Sequence, residues 1–114
     1  MVPTPRYVLL DGDKPVGTFL VSEPNEVAKK TIFGFSDKPQ YDAFRANSEL
    51  AYKPYPLVKG FLRGQIEPTE DAVALVAVDA SGPKDESFQV CSVEQTLRAY
   101  ESNANTLESV SARV

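Results

Sequence analysis

The sequence lacks several residues on which common active sites depend. It has no histidine and no tryptophan, and Cys91 is its only cysteine. A single cysteine excludes an internal disulfide and fits a reducing compartment. Without histidine, serine–histidine catalysis and most zinc sites cannot be built, and no glycine-rich phosphate loop is present. We therefore predict a protein that is not an enzyme, with no catalytic residues, no metal and no cofactor.

Long apolar runs are also missing. The longest, Ala72–Val78, has seven residues, whereas a membrane-spanning helix needs roughly 20. Pro3, Pro5 and Arg6 precede only a short apolar run, so we expect no signal peptide. We expect a soluble protein without a membrane partner, either cytoplasmic or built into a larger assembly such as a virion.

Charge is distributed unevenly along the 114 residues. Residues 1–64 carry nine basic and seven acidic side chains, whereas residues 65–114 carry three and nine, and the net charge is −4. An acidic chain is repelled by nucleic acid on average, although a local basic face can still bind it.

Strand and turn signals dominate the N-terminal part. Arg6–Asp11 and Val16–Ser22 are rich in β-favouring residues and flank Asp11-Gly12, which favours a hairpin because glycine accepts a positive φ. Gly17 in the return strand indicates a bulge or a close backbone approach. The proline and acid that follow predict a short helix over Asn25–Ile32.

A pair of central strands is predicted over Leu57–Ile66 and Ala72–Asp79. The second is apolar at both alternating positions, so we expect it to be covered on both faces. Before the pair, Gln40–Leu50 can form a helix, and the prolines favour an extended segment over Tyr52–Pro56. After the pair, Phe88–Cys91 is predicted as a short edge strand.

The last element begins with a capping box, because Ser92 and Gln95 have the spacing at which each side chain bonds the other's backbone. From Val93 to Leu107, apolar residues recur three and four apart and form one stripe. We predict an amphipathic helix over Ser92–Leu107. The small, polar residues 108–114 are predicted to be a frayed tail.

These elements predict a single α+β domain over residues 1–107. It contains an antiparallel sheet of about four or five strands with an N-terminal hairpin. A short helix follows the hairpin, and the C-terminal amphipathic helix packs on the sheet.

One sheet face combines aromatic and basic side chains. Strand residues alternate between faces, so Tyr55, Lys59, Phe61 and Arg63 share one side, with Tyr52 just before them. Because Tyr, Phe and Arg are typical hot-spot residues, this face can bind a protein partner. It can instead hold nucleic acid, or Phe61 can pack under the C-terminal helix and leave no site.

Three other features have ordinary structural explanations. Lys29 and Lys30 complement the dipole of a helix end, although they also extend the basic surface available to nucleic acid. Asp11 and Asp13 are interpreted as turn residues that bond their own backbone. Cys91 is interpreted as a small buried residue at a strand end.

The order of Tyr7–Asp11, Gly17–Phe19, and Pro24 with Ala28 and Lys29 follows a known pattern. It resembles the opening of the small archaeal non-histone monomeric chromosomal proteins and their viral relatives, over about residues 6–32. The resemblance implies a small sheet with one helix that binds and bends double-stranded DNA. The family is strongly basic, whereas this chain is acidic.

The function predicted from the sequence is a non-enzymatic interaction or structural module. Its contacts with a protein partner or with assembly neighbours are assigned to Tyr52, Tyr55, Lys59, Phe61 and Arg63. The alternative is a double-stranded DNA-binding protein of the chromosomal type, for which the contact residues are Lys29, Lys30, Lys59 and Arg63.

Overall fold

The fold was obtained as a computed structural model, which describes residues 2–12, 14–22, 28–48, 52–57, 60, 73–82 and 85–113. The strands are β1 (Val2–Pro3), β2 (Tyr7–Asp11), β3 (Lys14–Pro15), β4 (Gly17–Ser22), β5 (Ala28–Phe35), β6 (Lys53–Pro56), β7 (Leu75–Val78), β8 (Phe88–Ser92), β9 (Thr106–Leu107) and β10 (Val110–Arg113). The helices are α1 (Lys38–Ala46) and α2 (Val93–Glu101).

Five of these strands close into a barrel, in the order β5, β4, β10, β8 and β7. The neighbours are antiparallel except β5 and β7, which run parallel and complete the ring. The predicted combination of helices and strands is confirmed, but the sheet is not the simple antiparallel one that we expected. Closure removes the free edges of these five strands.

Helix α1 lies in the crossover that the parallel pair requires. The Asp37 carboxylate caps it by accepting from the Gln40 N–H at 3.3 Å, and Pro39 occupies the first turn. Tyr41 and Phe44 are buried among the barrel side chains. The predicted helix over 40–50 is confirmed in place, although it begins at residue 38 and ends at residue 46.

The barrel encloses one apolar cluster and carries a second on its outside. Strand β7 contributes to both, with Leu75 and Ala77 in the inner cluster and Val76 and Val78 in the outer one. All four side chains are buried, which confirms that this strand is covered on both faces. The first predicted central strand, by contrast, lies almost wholly outside the described residues.

Helix α2 covers the outer cluster with one apolar side. The predicted capping box is present: the Gln95 N–H donates to Ser92 Oγ at 3.0 Å, and the Ser92 N–H donates to Gln95 Oε1 at 3.0 Å. Leu97 and Tyr100 then pack against Val76 and its neighbours in the cluster. Each such side chain contributes roughly 1.5–3 kcal/mol by leaving water.

Several predicted elements are wrong. Residues 28–32, predicted as helix, belong to β5, because pairing with β4 and β7 satisfies a β-branched and aromatic stretch better than a helix does. Strand β8 is not an edge strand, since it lies between β7 and β10.

The C-terminal region also differs from the prediction. Helix α2 ends at Glu101, and Asn103 adopts a φ of 57°. Leu107 then lies in β9 and pairs with Val2 of β1. The predicted tail is not frayed, because Val110–Arg113 forms β10 between β4 and β8. Two neighbouring strands satisfy its backbone, although its own residues have little apolar surface.

The segment before β2 is hydrogen-bonded to α2 and to the loop that follows it. The Thr4 N–H donates to the Asn105 carbonyl at 2.9 Å, and the Tyr100 hydroxyl donates to the Pro5 carbonyl. The Arg6 guanidinium lies 5.2 Å from the centre of the Tyr100 ring. Burial raises the pKa of Tyr100 to about 12, and the Arg6 charge opposes part of that rise. These contacts fix where β2 begins.

No helix within the described part of the chain is both long and apolar enough to span a bilayer.

Candidate protein-binding surface

The N-terminal hairpin is shorter than predicted. Gly12 turns the chain with a φ of 68°, and β2 pairs with β3 over two residues. The Val16 N–H then donates to the Leu9 carbonyl, and its own carbonyl accepts from Phe33. Val16 is therefore the residue at which the chain stops pairing with β2 and begins to pair with β5 of the barrel.

Gly17 allows this change of partner. A Cβ placed on it would lie 2.3 Å from the Thr31 carbonyl oxygen, a distance that no side chain tolerates. The close backbone approach predicted for this position is confirmed.

Strand β2 supports a small surface beside the barrel. Along one side it pairs with β6, which places Tyr55 opposite Val8 and Lys53 opposite Leu10. Directly opposite residues of an antiparallel pair share a face, so Val8, Leu10 and Tyr55 project together. Leu57, two residues after Tyr55, continues the same face.

That face contains an apolar groove of about 430 Å³, which we call the Tyr55 surface. Its floor is buried and belongs to the outer cluster, whereas Tyr55 on its wall is 54% exposed. The residues of the Tyr55 surface are Val8, Leu10, Gly12, Pro15, Tyr55, Pro56 and Leu57.

The four residues of β6 are all exposed, and within the described residues this strand pairs with β2 alone. The Leu57 N–H donates to the Arg6 carbonyl at 2.9 Å. Alternation then directs the N–H groups of Lys53 and Tyr55 towards β2 as well. Pro54 and Pro56 occupy the positions that face away from β2, where an ordinary residue would present an N–H.

The structure separates the residues predicted to form the contact face. Tyr52 is half-buried and packs on the Phe44 ring, with ring centres 6.4 Å apart, so it belongs to the barrel interior and not to the face of Tyr55. Its assignment to the partner contact stays a prediction, and the structure places its ring against the inner cluster, on the other side of the sheet from Tyr55. Lys59, Phe61 and Arg63 lie outside the described residues.

The predicted basic pair Lys29 and Lys30 is not at a helix end. Both residues lie in β5, where Lys29 pairs with Leu20 and Lys30 pairs with Phe19. Because neighbouring strand residues point to opposite faces, the two lysines do not form one basic cluster.

A second exposed aromatic, Phe19, was missed by the sequence reasoning. It is 60% exposed on the outside of β4, opposite Lys30, and the next outward residue, Val21, pairs with Arg113. We call Phe19, Val21, Lys30 and Arg113 the Phe19 surface. No sequence signal marks it as exposed, because Phe19, Leu20 and Val21 are consecutive apolar residues without alternation.

Two carboxylates and the thiol, among the described residues, have local structural partners. The Asp79 carboxylate accepts from the Ser36 N–H and hydroxyl, at 2.8 Å each, and Asp85 binds Ser81 in the same manner. Cys91 is buried as predicted, with Sγ 3.2 Å from Thr96 Oγ1, and burial raises the pKa of its thiol. These contacts hold turns and strand ends in place.

Comparison with known protein families, with curated proteins and with solved structures found no match. The functional proposals below therefore depend on the geometry of this chain alone.

Proposed function

We propose that this protein is a non-enzymatic interaction module that binds a protein partner through the Tyr55 surface. The observation that carries the proposal is an aromatic ring, 54% exposed, on the wall of an apolar groove of about 430 Å³. Tyrosines beside concave apolar surface are frequent centres of protein interfaces.

The groove gives a partner two kinds of contact. Half-buried Leu10 and the prolines 15 and 56 offer apolar surface, and the Tyr55 ring adds a large rigid contact with a polar hydroxyl. Lys53 stands beside them opposite Leu10, so it adds a positive charge to the rim. A central apolar contact with a polar rim is the usual composition of an interface.

A role in a larger assembly, such as a virion, agrees with this arrangement. The five barrel strands have no free edge on which a neighbour could add a strand. Neighbours of these strands would therefore pack on exposed faces, and the Tyr55 surface is a concave apolar face on which they can do so.

Site-specific cross-linking tests the proposal. A photoreactive phenylalanine analogue is placed at position 55 or, as the matched control, at position 19, and cross-linked polypeptides are identified in the source cells. The purified partner is then titrated with wild-type protein, Tyr55→Ala and Phe19→Ala. We expect Tyr55→Ala to weaken binding at least about tenfold and Phe19→Ala less than about twofold. Equal losses for both variants would contradict the proposed site.

Nucleic acid binding is the second candidate, favoured by Phe19 lying directly opposite Lys30 on an exposed face. An aromatic ring next to cations is a typical stacking platform. Gel shifts with single-stranded and with double-stranded DNA at low and high salt test it, with Lys30→Gln as the charge-removing variant. A salt-sensitive shift weakened by Lys30→Gln supports this candidate, and the absence of a shift at low salt removes it.

A further inference from the structure

We propose that two copies of this protein exchange β10, so that Val110–Arg113 of each copy closes the barrel of the other. The strand of the second copy occupies the place between β4 and β8, which we call the β10 slot. Replacement of a strand, unlike addition of one, leaves the barrel closed and without a free edge. The exchange does not involve the Tyr55 surface, so it is independent of the proposed function.

Strand β10 buries little apolar surface. Of its four described residues only Ala112 is buried, and Val110 is 57% exposed. A buried methyl group contributes only about 1 kcal/mol. Each of the other four barrel strands buries at least one large apolar side chain, among them Leu20, Phe33, Val76 and Phe88. Strand β10 is therefore the barrel strand with the least apolar burial to lose when it is released by local opening.

The β10 slot fits the sequence of β10 specifically. Gln89 of β8 binds two serines at once: its Nε2 donates to Ser111 Oγ at 3.1 Å, and its Oε1 accepts from Ser109 Oγ at 3.0 Å. Ala112 pairs with Phe88 and is buried in the same inner cluster, so a larger side chain there would overpack the barrel. The slot thus requires the pattern Ser-x-Ser-Ala, which a second copy of this chain supplies.

The connection into β10 is short. Only Glu108 and Ser109 join it to β9, which pairs with β1 outside the barrel. These two residues take the chain from one sheet to another, and short hinge loops favour exchange between copies. Each exchanged copy regains the contacts that it gives up, so protein concentration decides between the closed monomer and the exchanged dimer.

Isotope-filtered NMR on the wild-type chain tests the exchange. Equal amounts of ¹³C,¹⁵N-labelled and unlabelled protein are mixed in urea and refolded at millimolar concentration, and the dimer is isolated by gel filtration. We expect cross-peaks between the Ala112 methyl group of one copy and the Phe88 ring of the other, because these residues are paired across the slot. A dimer without these intermolecular cross-peaks, or the absence of a dimer, would overturn the proposal.

Two changes to the hinge should move the dimer fraction in opposite directions, while β10 and its slot stay unchanged. Deletion of Glu108 shortens the connection and hinders β10 from reaching its own barrel, so the dissociation constant of the dimer should fall at least about tenfold. Insertion of three glycines after Glu108 lengthens the connection and should raise that constant at least about tenfold. Sedimentation velocity measures both constants, and equal values for the wild type and the lengthened variant would contradict the exchange.

Tyr55→Ala separates the exchange from the proposed function. We expect this variant to keep the dissociation constant of the dimer within about twofold of the wild-type value, because position 55 is distant from β10 in the sheet order. Loss of the dimer in Tyr55→Ala would show that the copies associate through the Tyr55 surface and would overturn the exchange.

Discussion

Tyr55 and Phe19 are similar in exposure, at 54% and 60%, yet they belong to different kinds of surface. Tyr55 stands on β6, beside a groove, on a strand with one described neighbour. Phe19 stands on β4, which pairs with β5 on one side and β10 on the other. The first surface lies at a strand edge beside an apolar groove. The second lies on the outside of a closed barrel, next to a groove of about 390 Å³ whose described lining includes Val21 and the charged Glu86 and Arg113.

This difference shows why exposure alone does not identify a binding site. Surface aromatics are common on monomeric proteins, and single ones require no function. A concave apolar setting is what lets a ring and a partner exclude water together. On that criterion we favour the Tyr55 surface as the proposed protein site, because the groove next to the Phe19 surface is lined in part by the charged Glu86 and Arg113.

The largest expected effect is at Gly17, where the chain passes from the strands of one surface to those of the other. Gly17→Ala puts a Cβ against the Thr31 carbonyl and should lower the free energy of unfolding by about 3 kcal/mol. Gly12→Ala is the matched control: nothing lies within 4 Å of its Cβ, so only its positive φ matters, at about 1 kcal/mol. Urea denaturation measures both, and equal losses would contradict the close approach.

Local signals predicted the parts of the fold that local chemistry determines. The turn at Gly12, the capping box at Ser92 and the doubly covered strand β7 all follow from neighbouring residues. Strand β10 could not be found this way, because Val110–Arg113 is short and polar and is a strand only through pairing with β4 and β8. Closure of the barrel depends on that non-local pairing.

The proposed site and the contact residues predicted from the sequence share one described residue, Tyr55. Tyr55 was chosen from alternation along a strand. It is exposed on β6, which lies in the segment over Tyr52–Pro56 that the prolines predicted to be extended. Its neighbours in the groove come from β2 and from the turn after it, about 45 residues earlier in the chain. The alternation of side chains within one strand cannot show which distant strand lies beside it. The groove could therefore not be predicted from the sequence.

A smaller effect is expected from Tyr100, which fastens the segment leading into the Tyr55 surface. Its pKa is raised from 10.0 to about 12 in the folded protein, so the fold favours the neutral phenol. The resulting stability is present below pH 10 and is lost as the pH rises from 10 to 12, by roughly 1–2 kcal/mol after solvent screening is allowed for.

Tyr100→Phe isolates this effect from the other tyrosines. The variant should be about 1 kcal/mol less stable at pH 8, because the bond to the Pro5 carbonyl is lost. Between pH 10 and 12 it should then lose less stability than the wild type. Parallel pH profiles for the two proteins in urea denaturation would contradict the burial of this hydroxyl.

The prolines of β6 should affect association more than stability. Pro54→Ala with Pro56→Ala restores two outward N–H groups and should destabilise the fold by only about 1 kcal/mol. The double variant should self-associate through β6 at concentrations where the wild type does not, as measured by sedimentation velocity. If both proteins sediment identically up to millimolar concentration, the prolines do not protect this edge.

The smallest effect is expected at Phe19. Phe19→Ser should change the free energy of unfolding by no more than about 0.5 kcal/mol, because the ring is mostly in water. Thermal denaturation checks this value. A loss of several kcal/mol would show that the Phe19 surface is a packed interface within the fold, which would weaken the contrast between the two surfaces.

The most direct measurement uses the five tyrosines of the chain as reporters. Protein labelled with 3-fluorotyrosine is titrated with indole, a small aromatic probe for the apolar groove of the Tyr55 surface. The five ¹⁹F resonances are assigned with single Tyr→Phe variants. We expect the Tyr55 resonance to shift with saturable, millimolar-range dependence, while the buried Tyr100 resonance stays fixed. Saturable binding of indole that leaves the Tyr55 resonance unmoved would contradict the assignment of this surface.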